Sequence, residues 1–112
     1  MSAIESAKAH FASLETQSFK VEEWRDENGE PLTIYHTPMT LHEKDRLYKR
    51  AKGESLELMA YVLIFKAVSE TGEPLFTMDD KYSLMNSVDP DVLSEAAAKL
   101  LNNSSVDEQL EK

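Results

Sequence analysis

The sequence predicts an α+β fold, mostly α: helices packed around a central apolar helix at about 54–69, with an N-terminal β-hairpin at about 19–38. Three observations carry this. The run Leu56–Val68, LELMAYVLIFKAV, is the most apolar stretch, and its eight residues from Leu58 to Phe65 bear no charge. Asn28-Gly29 sits between two arms that hold aromatic and β-branched residues. Thr40, Thr77 and Asp89 each precede segments with helical spacing and suit the N-cap position.

Ser2 to Leu14 reads as a short amphipathic helix. Ile4, Ala7, Phe11 and Leu14 recur at the spacing of one helical face. Ser2 and Glu5 have the spacing of a capping box, in which hydroxyl and carboxylate each satisfy an orphan backbone N–H. Phe19 to Met39 reads as the hairpin, with Phe19, Val21 and Trp24 in the first arm and Leu32, Ile34 and Tyr35 in the second. Asn-Gly would supply the two positive φ values of a tight turn. Pro31 cannot donate to a ladder and is expected at the loop edge. In a regular strand Trp24 would face away from Phe19 and Val21, so both faces of the hairpin are expected to be partly covered. A two-stranded ribbon is marginal alone and must lean on the helices or on a neighbouring subunit.

Pro38 closes the hairpin. Thr40-Leu41-His42-Glu43 is a second capping box, opening a helix that runs to about Lys52, with Gly53 expected in the left-handed C′ position. Its apolar stripe is thin: Leu41, Leu47, Tyr48 and Ala51. Its polar face holds Lys44, Arg46, Lys49, Arg50 and Lys52, five of the 12 Lys and Arg. That face is either solvated and balanced by acidic neighbours such as Glu54 and Glu57, or a contact for an acidic partner segment. No aromatic side chains interleave with the cations as stacking platforms, which argues against nucleic acid.

Leu56–Val68 is far short of the roughly 20 apolar residues that span a bilayer. A helix apolar nearly all round belongs in the middle of a core. A buried strand is the rival for so short a run, but Leu, Met and Ala dominate and only Val62, Ile64 and Val68 are β-branched. The helix is expected to end near Ser69, before a turn at Glu70-Thr71-Gly72-Glu73-Pro74. The pattern Glu-x-Gly-Glu-Pro-Leu occurs at 27–32 and again at 70–75, which we read as shared turn chemistry and not as a repeat. Leu75-Phe76 forms a brief apolar anchor. Thr77 to Val88 is a third capped segment, with Asp80 reciprocating Thr77 and with Asp79 and Asp80 at the positive end of the helix dipole. Asp89-Pro90-Asp91 opens the last helix, with Asp as N-cap and Pro at N1. Val92/Leu93, Ala96/Ala97 and Leu100/Leu101 then make an apolar stripe that ends near Asn102-Asn103. Residues 1–103 read as one domain and 104–112 as a polar flexible tail.

The chain of 112 residues is long enough for one core. Its 12 Lys and Arg against 21 Asp and Glu give a net charge of −9. A basic nucleic-acid footprint is missing overall, and the acidity favours repulsion from phosphate and anionic lipid. The absence of Cys excludes disulfides, thiolate metal sites and cysteine nucleophiles. The start, MSAIESAKAH, lacks the positive and apolar regions of a secretory signal, so a cytoplasmic location is expected. His10, His36 and His42 show no i, i+4 pairing and no HExxH. His36, His42 and Glu43 are the one conceivable ligand set. Asp79-Asp80 invites a paired acid/base reading, but that chemistry needs divergent environments, and adjacent aspartates at a helix start are more often caps. Phosphate-loop, GxGxxG and GxSxG motifs are missing. No catalytic, cofactor or metal site is expected; the residues describe a small acidic binding domain, not an enzyme.

The order of segments resembles the tail assembly chaperones of long-tailed, siphovirus-type bacteriophages and prophages. The resemblance rests on the ribbon VEEWRDENGEPLTIYHTPMT, the capped helix TLHEKDRLYKRA, the apolar helix LELMAYVLIFKAV, the link GEPLFTMDD with Gly72, Leu75, Phe76, Thr77 and Asp80, and a last helix with LLN. It covers roughly residues 19–103 and is most specific from Val68 to Asp80. It implies a non-enzymatic protein of the host bacterial cytoplasm, not expected in the mature virion. Such a protein binds the tape-measure protein, keeps that helical chain soluble and helps recruit tail-tube subunits. The resemblance also implies possible homo-oligomers and, in many members, a longer frameshifted form that contacts the tail-tube protein; the polar tail here suits the short form. The family offers no catalytic motif to transfer, and the basic helix at 40–52 does not follow from its pattern.

A holdase covers apolar helical faces of its client, usually with an apolar groove of its own. The candidate partner-binding residues are therefore Tyr61 and Phe65 on the central helix, Leu93 and Leu100 on the last stripe, and Lys49 and Arg50 on the basic face. The four apolar ones are equally core candidates. Neither nucleic acid nor membrane is expected as a partner. Two other classes stay open. One is an acidic inhibitor that mimics nucleic acid, favoured by the net charge but opposed by scattered acids and an interrupting basic face. The other is a structural tail or head–tail joining protein, which would persist in virions.

Overall fold

Side-chain caps divide the chain into its elements. The computed structural model describes residues 2–52 and 55–102. The order is α1 (Ala3–Ser13), β1 (Gln17–Arg25), β2 (Pro31–His36), α2 (Leu41–Arg50), α3 (Ser55–Lys66), a 3-10 turn (Met78–Asp80) running into α4 (Lys81–Asn86), and α5 (Pro90–Leu101). The fold is α+β and mostly α. At α2 both halves of the capping box form: the Glu43 N–H donates to Thr40 Oγ1 and the Thr40 N–H to Glu43 Oε1, each at 3.1 Å. The Ser2 hydroxyl accepts from the Glu5 N–H, and the Asp89 carboxylate from the Asp91 N–H.

α3 is the centre. Ala60, Val62 and Leu63 have no exposed surface, and α2, α4 and α5 pack around them. From α5, Leu93, Ala96, Ala97 and Leu100 are buried, the alanines being small enough to let the two helices approach. α3 ends at Lys66, three residues before the expected end. The reason is tertiary. Val68 leaves the helix to exchange both backbone hydrogen bonds with Tyr35, at 2.8 and 2.9 Å, and so covers the outer edge of β2. Val68 is in turn bridged to Pro74, and Gly72 takes a φ of 90° in the intervening turn.

The hairpin differs from the expected one in two respects. Its turn spans residues 26–30 and has a positive φ at Gly29 alone, not at Asn28. The Asp26 carboxylate captures the N–H groups of Asn28 and Glu30, which stabilises a longer loop than the two-residue turn. The ladder also slips between Val21, opposite Leu32, and Arg25, opposite Pro31. This bulge turns Trp24 toward the core, where it meets Phe76 edge-on at 6.2 Å. The ribbon leans on α5, with Lys99 Nζ 5.1 Å from the centre of the Phe19 ring.

Two expectations about helix faces are corrected. On α2 only Leu47 and the C-cap Ala51 are buried; Leu41 and Tyr48 point to solvent. The left-handed residue after α2 is Lys52, with φ 53°, and Gly53 lies outside the described residues, as do the 104–112 tail and Glu54. α1 forms as expected, but none of its residues is buried; Ile4 is 66% and Phe11 36% exposed.

Candidate functional site

The groove between α2 and α3 brings together two of the candidate residues, Arg50 and Phe65. Its origin is the capping box. The Glu43 carboxylate, fixed by Thr40, also accepts from Lys66 Nζ at 2.8 Å and so ties the start of α2 to the end of α3. That hydrogen bond, with the one from Thr40, holds the Glu43 carboxyl below the usual carboxylate range. One helical turn on come Arg46 and Leu47, and after another Arg50. With Phe65 they enclose an open groove of about 310 Å³.

Arg50 lies across aromatic faces. Its guanidinium carbon is 4.7 Å from the Phe65 ring centre and 5.9 Å from that of Tyr61. The two rings are stacked at 6.3 Å. On its other side Tyr61 accepts a hydrogen bond from Lys81 Nζ at 2.9 Å, which with nearby Glu57 holds the Lys81 ammonium above its ordinary pKa. Tyr61 is therefore a buried post, 7% exposed, while Phe65, at 43%, is the aromatic surface a partner can reach. Lys49 is exposed and paired with Asp45 at 3.0 Å.

Of the six candidates, Arg50 and Phe65 thus line the groove, Tyr61 lies buried beside them under Arg50, and Lys49 is exposed on α2 and paired with Asp45. Leu93 and Leu100 are buried between α5 and α3, and no partner reaches them without opening that interface. Sequence reasoning did not single out Lys81, whose contact with Tyr61 is a tertiary accident of α4 packing on α3. Of the two acidic neighbours named for the basic face, Glu57 pairs with Lys81 at 3.8 Å and Glu54 lies outside the described residues.

Among the described residues no group of three or more His, Asp or Glu is placed to hold a metal. His36 is buried, His42 is exposed, and Glu43 is committed to Lys66 and Thr40. The Asp80 carboxylate accepts from the Thr77 N–H at 2.9 Å, a capping contact. Among the described residues no helix is long and apolar enough to cross a membrane. Compared with known proteins, the chain matches no family model, no curated protein and no solved structure.

Proposed function

We propose that this chain is a client-holding protein of the phage tail assembly chaperone type: non-enzymatic, acting in the host bacterial cytoplasm, and binding a helical segment of the tape-measure protein until tube subunits replace it. The observation that carries this reading is the half-exposed Phe65 ring under the Arg50 guanidinium at the lip of the α2/α3 groove. An apolar wall beside a planar cation is a surface for a side chain of another protein. The net charge of −9 fits a holdase, because self-repulsion keeps a complex dispersed while apolar faces are in use.

The test is co-expression with the tape-measure protein of the same genome, without other phage proteins. A soluble complex that co-purifies with this chain is the expected result, and Phe65→Glu should abolish it while leaving the fold intact. A tape-measure protein that stays in the pellet beside the wild-type chain overturns the proposal. So does recovery of this chain from purified virions, which would make it a structural tail component.

A further inference from the structure

We infer that the α2/α3 groove selects an acidic helical segment of the client, reading two carboxylates one turn apart with Arg46 and Arg50; this rests on the client-holding reading. The first support is an imbalance of charge. Arg46 and Arg50 stand four residues apart on one side of α2, a like-charge arrangement that destabilises a helix. Yet in a chain with 21 Asp and Glu, neither arginine is in an ion pair with a described carboxylate. Beside them, Lys66 pairs with Glu43 and Lys49 with Asp45. Of the three cations that line the groove, Lys66 is paired and the two arginines have no described counter-ion.

The second support is preorganisation. The contact with the two rings restrains the Arg50 side chain before any partner arrives, and a guanidinium that sits over a ring still has N–H groups to offer a carboxylate. The groove also offers apolar contact from Leu47 and Phe65, which suits a side chain flanked by aliphatic residues better than a sugar–phosphate backbone. A net charge of −9 repels a nucleic-acid polymer as a whole, whereas two carboxylates on a short segment meet mainly the local field of α2. The spacing fits a helix, since four residues rise about 6 Å on either partner.

The experiment uses the full chain and labelled, end-capped, alanine-based peptides of about 16 residues, long enough to hold a helix. One carries Glu at i and i+4 with Leu at i+3. A second carries Gln in place of both Glu, and a third Lys. The Glu peptide is expected to bind about tenfold tighter than the Gln peptide, the size of one charge-assisted hydrogen bond. The advantage should shrink between about 0.05 and 0.5 M salt and vanish in Arg46→Gln/Arg50→Gln, whose two sites are exposed. The Lys peptide should bind weakest to the wild-type chain, a comparison that needs no variant. Equal binding of all three peptides, binding of none, a Glu preference that survives in the double variant, or tighter arginine-dependent binding of an oligothymidylate of similar length would each overturn the inference. If that happens while the tape-measure protein is still held in solution, client holding stands and only the acidic specificity falls. If the tape-measure protein also stays insoluble, both fall.

Discussion

His36 is the buried polar residue with an unmet need. It is 4% exposed, its ring meets Phe19 edge-on at 5.8 Å, and its buried Nδ1 has no hydrogen-bond partner among the described residues. Burial first, and then the nearby Lys66 ammonium, lowers its pKa below 6.5. A lowered histidine pKa means that the unfolded chain binds the extra proton first. Stability is therefore complete above about pH 6.5 and is lost as the pH falls from there through the lower folded value. Melting temperature should drop as the pH falls below about 6.5, and the slope should flatten in His36→Gln. Glu43 acts in a separate window, since its lowered carboxyl pKa costs stability only below its ordinary value of 4.5. A melting temperature level across the upper window would remove this account of His36.

At the level of elements, what was legible in the sequence was what local chemistry decides. The Thr40–Glu43 box, the Asp89 cap and the α1 boundaries depend on groups within a few residues of each other. The early end of α3 was not legible, because Val68 is a tolerable helix residue until Tyr35 offers it a strand edge. Trp24 was misjudged for a similar reason, since alternation fails across a bulge that the pattern does not announce. Of the groove, Arg50 and Phe65 were singled out in the sequence, but their meeting with Tyr61 required the packing of α2 on α3. α1 tests the element scale most sharply. Its 11 residues bury nothing, and a helix below about 12–15 residues is marginal alone. Its amides should exchange near the unprotected rate while those of α3 exchange only with global unfolding. Phe11→Ser should shift the melting temperature by less than about 2 °C, within the ±0.5 kcal/mol of ordinary surface changes.

The whole molecule divides into a core organised on α3 and surfaces left for others. Leu63 has no exposed surface, so Leu63→Ala should cost about 2–5 kcal/mol, read by denaturant unfolding. Phe65, two residues on, should tolerate truncation with far less effect, because solvent already covers much of it. One helix thus serves the core with one side and the groove with another. The most direct measurement is hydrogen–deuterium exchange of the purified chain with and without the bound tape-measure protein. Client holding through the groove predicts new protection in residues 43–50 and 61–66, with the contact between β1 and α5 unchanged. Protection confined to β1 and α5 or to α1, with the groove exchanging as in the lone chain, would contradict it.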